Sequence, residues 1–190
     1  MDENHLDPTE ESLRDADAAG RIRARLLLLL GVVLVGWVFA DGLLVYGRLP
    51  ERLPTHFGAG GAPNGFGPKN VFNVFGPLLV ASALLVAMAL LRYRPNWYNF
   101  PGQMRTRLLP PEQRPHVYAP IQESLAWLAA GEAVAMALLS KQMWAAALHQ
   151  RQGVSPVVLV APLAVGLGAV VVGIVAAGRR LKGFEASEGE

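Results

Sequence analysis

The chain has 190 residues, a formal net charge of +2, 52% hydrophobic residues and a mean hydropathy of +0.30. That is room for one domain, more apolar than a soluble globular protein usually is, and too weakly charged to make a case for a nucleic-acid partner. It contains no cysteine, which excludes disulfides, thiolate metal sites and a cysteine nucleophile.

The apolar residues fall in long runs separated by segments rich in charge, Pro and Gly, so the expected fold is an all-α membrane protein, a four-transmembrane-helix bundle. Residues 1–25 come first. Seven acidic side chains, Asp2, Glu3, Asp7, Glu10, Glu11, Asp15 and Asp17, stand there before Ala19 against Arg14 alone, which reads as a solvated, disordered tail. The first apolar run, residues 26–46, follows too long an acidic leader for a cleaved signal peptide and is expected to act as an uncleaved anchor. At about 1.5 Å per residue such a run crosses the roughly 30 Å hydrocarbon core.

A loop over 47–70 leads to span two at 71–91, and residues 92–120 form a Pro- and Arg-rich connection. With Trp97, Tyr98 and Phe100 close together, this connection is expected to lie at headgroup depth, its basic residues suiting anionic lipid heads. Span three is expected over 121–148, with Trp127 and Trp144 about 25 Å apart as interfacial belts. Span four covers 154–178, and 179–190 is a second solvated tail. Ala164 and Gly168, then Ala169, Gly173 and Ala177, put small side chains on one face of span four, suited either to packing within the bundle or to a homo-oligomer.

Orientation follows from Lys and Arg, which are retained on the cytoplasmic side. Arg14, Arg21, Arg23, Arg25, Arg92, Arg94, Arg105, Arg107, Arg114, Arg179, Arg180 and Lys182 lie on one side, against Arg48, Arg52, Lys69 and Arg151 on the other. Both termini and the 92–120 connection are therefore expected in the cytoplasm, with the 47–70 loop outside.

That loop is too patterned to be a linker. Pro50 and Pro54 fix φ, five glycines from Gly58 to Gly67 supply positive φ at little cost, and Asn64-Gly65 is a favoured turn pair. A compact loop of sharp turns lying on the membrane surface is expected. His56, beside Phe57, can ligate a metal, titrate or hydrogen-bond a turn carbonyl. A zinc site needs three or four ligands, and on the outer side of the membrane only His56 and His149 are at hand with Glu51 as a weak third, so no metal and no cofactor is expected.

The run Tyr46, Leu49, Pro50, Pro54, His56, Phe57, Gly61, Gly65, Lys69 resembles the signature of the bacterial family known as domain of unknown function 1648. The likeness covers mainly residues 26–91, with Asn64 where an aspartate is commoner. A fainter likeness extends from Asn99 through Leu125-Ala-Trp127. The same domain occurs in SdpI-like immunity and signal-transduction proteins, which protect bacteria against a secreted toxic peptide. The resemblance thus implies a bacterial plasma-membrane protein, with a secreted peptide or a regulatory protein as partner.

Three ionisable residues fall within apolar spans, where a charge at the centre costs at least about 2.5–3.5 kcal/mol and is a functional-site hypothesis by default. Asp41 and Lys141 sit at matching depth near the outer interface and can pair between spans one and three, or Lys141 can snorkel. Glu132 lies deeper, among Ala129, Ala130, Gly131 and Ala133, nine residues from Lys141 and on the opposite helix face, with no evident partner. It is either carried neutral or turned to a polar cavity.

No His-Glu-x-x-His helix, Gly-x-Ser-x-Gly elbow, phosphate loop or dinucleotide fingerprint appears, so no enzymatic activity is expected. Three functions are open: a non-enzymatic immunity or regulatory protein with the outer loop as its recognition element, a small transporter or proton-coupled subunit using Glu132, and a structural subunit of a membrane complex.

Overall fold

The computed structural model describes residues 8–187. The element order is α1 (Pro8–Tyr46), β1 (Arg52–Phe57), β2 (Pro63–Pro68), α2 (Val71–Leu91), a 3-10 turn over Pro95–Trp97, α3 (Gln103–Thr106), α4 (Arg114–Ala147) and α5 (Val157–Ser187). Four of the helices, α1, α2, α4 and α5, are long and apolar enough to cross a membrane.

Helix α4 is the hub, packed by α1, α2 and α5, and half of its most apolar window is buried against 11% for α5. The outward faces of α1, α2 and α5 are aliphatic: Leu30, Leu44, Val86 and Val172 are each at least 60% exposed, as suits a hydrocarbon solvent. Since lipid is as apolar as leucine, helices in it associate through close packing at small residues. Gly20, Gly31 and Gly42 do this along α1. Eleven residues make just over three whole turns, so the three share one stripe. A Cβ at these positions would meet Glu123, Leu85 and Trp144 at 2.7, 2.9 and 2.5 Å.

Several sequence expectations need correction. The N-terminal segment is helical from Pro8, not a disordered tail, because Asp17 is 4% exposed and tied to α4 and α5; residues 1–7 lie outside the described residues. Helix α4 starts at Arg114, inside the supposed connection, with Pro115 in its first turn where a missing N–H costs nothing. Likewise α5 runs on to Ser187 through the supposed second tail, held by Leu181 at 0% exposure.

Trp144 is no interfacial belt. It is 2% exposed, donates Nε1–H to the Val74 carbonyl at 2.9 Å, and meets Phe75 edge-on at 6.1 Å. Phe75 in turn stacks on Phe39 and Tyr46 at 4.6 and 6.1 Å. This aromatic group fills the junction of α1, α2 and α4, with each ring offset or edge-on as the quadrupoles prefer.

Of the small residues on α5, Gly166, Gly173 and Ala177 are buried, and a Cβ on Gly173 would meet the Pro120 carbonyl at 2.8 Å. They serve packing within the bundle, whereas Ala164 and Gly168 stay exposed.

Candidate functional site

The patterned loop folds as an antiparallel β-hairpin, β1 on β2, with irregular register around His56. This differs from the expected run of turns. Asn64 and Gly65 lie inside β2, opposite His56, and the reversal is made by residues 58–62, where Gly58 N–H bonds the Ala62 carbonyl at 2.9 Å. Gly65 is glycine because a Cβ would lie 2.9 Å from that of His56. The hairpin is anchored by Leu53 at 0% and Leu49 at 3% exposure, whose side chains join the α1–α2–α4 core.

Lys69 fastens its base. The ammonium donates to the Leu49 carbonyl at 3.0 Å, pairs with Glu51 at 2.8 Å and stands 5.7 Å above the Tyr46 ring. Those contacts tie Lys69 to the end of α1 and to the start of the hairpin at once. His56 is exposed, and its Nδ1–H donates to Asn64 Oδ1 across the hairpin. Among the described residues, no three His, Asp or Glu side chains gather to hold a metal ion.

The tip of the hairpin is clasped to the turn between α4 and α5. Val154 N–H donates to the Gly61 carbonyl at 2.9 Å, and Gly61 has a φ of +82°. A Cβ there would stand 1.8 Å from the Val154 oxygen, and one on Gly153 would stand 2.1 Å from the Gly61 oxygen. Beside this clasp, hairpin and turn enclose a cleft of about 550 Å³. Pro50, Pro54 and Phe66 give it apolar walls; Arg52 and Arg151 give it cations, His149 adds an imidazole, and no acidic residue lines it. His149 holds a φ of 59° as the left-handed cap that ends α4, its N–H bonding the Ala146 carbonyl at 3.1 Å and that of Gln150 the Ala145 carbonyl at 2.9 Å. Sequence reasoning passed over Arg52, His149 and Arg151 as a group, because nearly 100 residues separate the two sides of the cleft.

The residues within the spans separate into two kinds. Lys141 Nζ reaches Asp41 Oδ2 at 2.7 Å, joining α4 to α1 near the hairpin end with both side chains part-exposed. Glu132 is 6% exposed, and neither of its oxygens has a hydrogen-bond partner.

At the other end of the bundle lies a junction the sequence did not suggest. Asp17 accepts from His116 Nδ1 at 2.6 Å and from Arg180 Nη1 at 2.5 Å, and Arg180 also donates to the His116 carbonyl at 2.6 Å. Arg23 forks onto Glu123 at 2.7 and 3.0 Å, and Arg105 pairs with Glu185 at 3.1 Å.

Comparison with known proteins bears on the hairpin half. Residues 28–81 match the family model described as Domain of unknown function (DUF1648). An uncharacterized protein of Archaeoglobus fulgidus is 33% identical over 82 residues, 40% of this chain and 45% of that protein, so the chain spans less than half the length of the relative it matches. No solved structure matches. The matched residues run from inside α1 through the hairpin into α2, so the likeness to the domain-of-unknown-function 1648 family covers the hairpin and the two helices that carry it.

Proposed function

We propose that this is a non-enzymatic multi-pass membrane protein that recognises a peptide at its hairpin end, in an immunity or regulatory role. In this reading the hairpin faces outward and both termini face the cytoplasm of a bacterial cell, as the distribution of Lys and Arg favours. The observation that carries it is the cleft beside the clasp, where motif prolines form one wall and Arg52 and Arg151 supply cations with no acid among the lining residues to neutralise them. Exposed Phe66 adds an aromatic anchor, and both hairpin strands leave an unpaired edge to which an extended chain can add. The complementary ligand is a peptide with a carboxylate next to an apolar side chain.

Selection of a displayed peptide library on the full chain in lipid nanodiscs tests this. Enriched sequences should carry Asp, Glu or a free C-terminus beside an apolar residue, and the Arg52→Glu, Arg151→Glu double variant should retain none of them. Peptides retained equally by wild type and double variant would refute the cleft as the recognition element.

A second reading, proton-coupled transport, is favoured by one observation, the two unpartnered oxygens of Glu132. Ionisable groups of this kind within spans mark proton relays and substrate paths. Glu132→Gln keeps the shape of the side chain. Peptide reading predicts that this variant folds and selects peptides like wild type, whereas the transport reading predicts loss of function in it with His56→Ala unaffected.

A further inference from the structure

The connection between α2 and α4 holds a second cationic cleft, of about 300 Å³, at the end of the bundle opposite the hairpin. Its walls include Asn96, Pro111, Tyr118 and Gln122, and its charged residues are Arg107 and Arg114, with no acid among the lining residues. Both guanidiniums are oriented by the chain itself. Arg107 Nη2 donates to the Asn96 carbonyl at 3.1 Å and Arg114 Nε to the Leu109 carbonyl at 2.8 Å. The remaining N–H groups of each have no protein acceptor among the described residues, so two partly fixed forks are left for an anion.

The floor of the cleft is rigid. Tyr118 is 6% exposed and is met edge-on by Tyr98 and Phe100 at 5.7 and 6.2 Å. Tyr98 donates its hydroxyl to the Arg92 carbonyl at 3.0 Å, and burial pushes its phenol up to about 12. Thus the ring stays neutral beside the arginines and keeps its bond.

What surrounds the cleft decides the source of the anion. Residues next in sequence to those lining or shaping it are large, apolar and exposed: Trp97 at 72% and Leu108 at 85%, with Tyr93 at 71% and Met104 at 74% on the same connection. In water these side chains would be a liability. At the end of a transmembrane bundle, aromatics settle at headgroup depth and aliphatic groups meet acyl chains. A volume of this size is at the low end of the roughly 300–1,000 Å³ of ligand pockets, suited to a headgroup and not to a whole lipid.

We propose that Arg107 and Arg114 bind the phosphate of an anionic phospholipid headgroup in this cleft, with the acyl chains lying along Leu108 and Trp97. The bundle would thereby carry a fixed annular lipid between the end of α2 and the start of α4, at a site separate from the hairpin cleft.

Native mass spectrometry of the full chain released from detergent, titrated with phosphatidylglycerol or phosphatidylcholine, reads this directly. Wild type should retain phosphatidylglycerol in preference to phosphatidylcholine. Arg107→Glu should lose that preference, with affinity for phosphatidylglycerol falling by about tenfold or more, as removal of a charge-assisted contact predicts. Arg107 is exposed, so the variant is expected to fold; Arg107→Lys, which keeps the charge without the fork, should fall between the two. Arg48→Glu, exposed at the far end and outside both clefts, should retain lipid as wild type does. Equal retention of the two lipids, an unchanged Arg107→Glu, or an equal loss in Arg48→Glu would overturn the proposal. Displacement of the lipid by inorganic phosphate at matching concentration would overturn it too, since that outcome describes a site for a soluble anion.

Discussion

Replacing Gly61 with alanine is expected to unseat the hairpin from the α4–α5 turn while the helical bundle stays folded. Two costs act together. At a φ of +82° a side chain carries strain of about 1–3 kcal/mol, and the new Cβ would stand 1.8 Å from the Val154 oxygen, a backbone atom that cannot rotate away. Relief requires the tip to lift, which gives up the 2.9 Å bond from Val154 N–H and opens the cleft lined by Arg52 and Arg151. Amide exchange at Val154 should accelerate by orders of magnitude while amides within α4 keep their protection, and peptide selection should fail. Gly60→Ala is the control: a Cβ there meets nothing within 4 Å, so stability should change by less than about 0.5 kcal/mol. Retained protection at Val154 in Gly61→Ala would show that the clasp is not what holds the tip.

Asp17→Ala is expected to destabilise the whole bundle. The carboxylate, 4% exposed, faces His116 on one oxygen and Arg180 on the other, and its loss leaves a part-buried guanidinium with only the His116 carbonyl to bond. Removing one partner of such a buried pair costs about 3–5 kcal/mol, far more than the pair contributes relative to an apolar substitute. Thermal unfolding in detergent should show it as a clear fall in Tm, and α1 should fray back towards Ala24, which is 0% exposed. Asp17→Asn, which keeps an acceptor oxygen, should lose less. A shift in Asp17→Ala no larger than that of an exposed control such as Asp15→Ala would mean that the junction does not hold the three helices.

The four spans and their approximate limits were legible because hydrocarbon imposes long apolar runs on any chain that crosses it. So was the pairing of Asp41 with Lys141, since depth along a span can be counted from its ends. Contacts between residues far apart in sequence were not legible. The acids of the first nineteen residues average to a solvated tail, and only the fold shows that Asp17 turns inward, onto partners at 116 and 180. The hairpin was hidden for a different reason. Prolines and glycines argue for turns, yet here Pro54 and Gly65 sit within two short strands whose other edges are free, where a missing N–H or side chain is tolerated. Gly20, Gly31 and Gly42 could have been found by looking for small residues eleven apart, a spacing that a search for four-residue repeats passes over.

The clasp also says something about how this chain can be taken apart and reused. The segment that matches a family model ends at residue 81, yet the carbonyl at the tip of its hairpin is satisfied by residue 154. Taken by itself the matched segment is therefore unfinished in this chain: the sequence downstream of it returns to that tip with an N–H, from Val154, and with a residue small enough to approach it, Gly153.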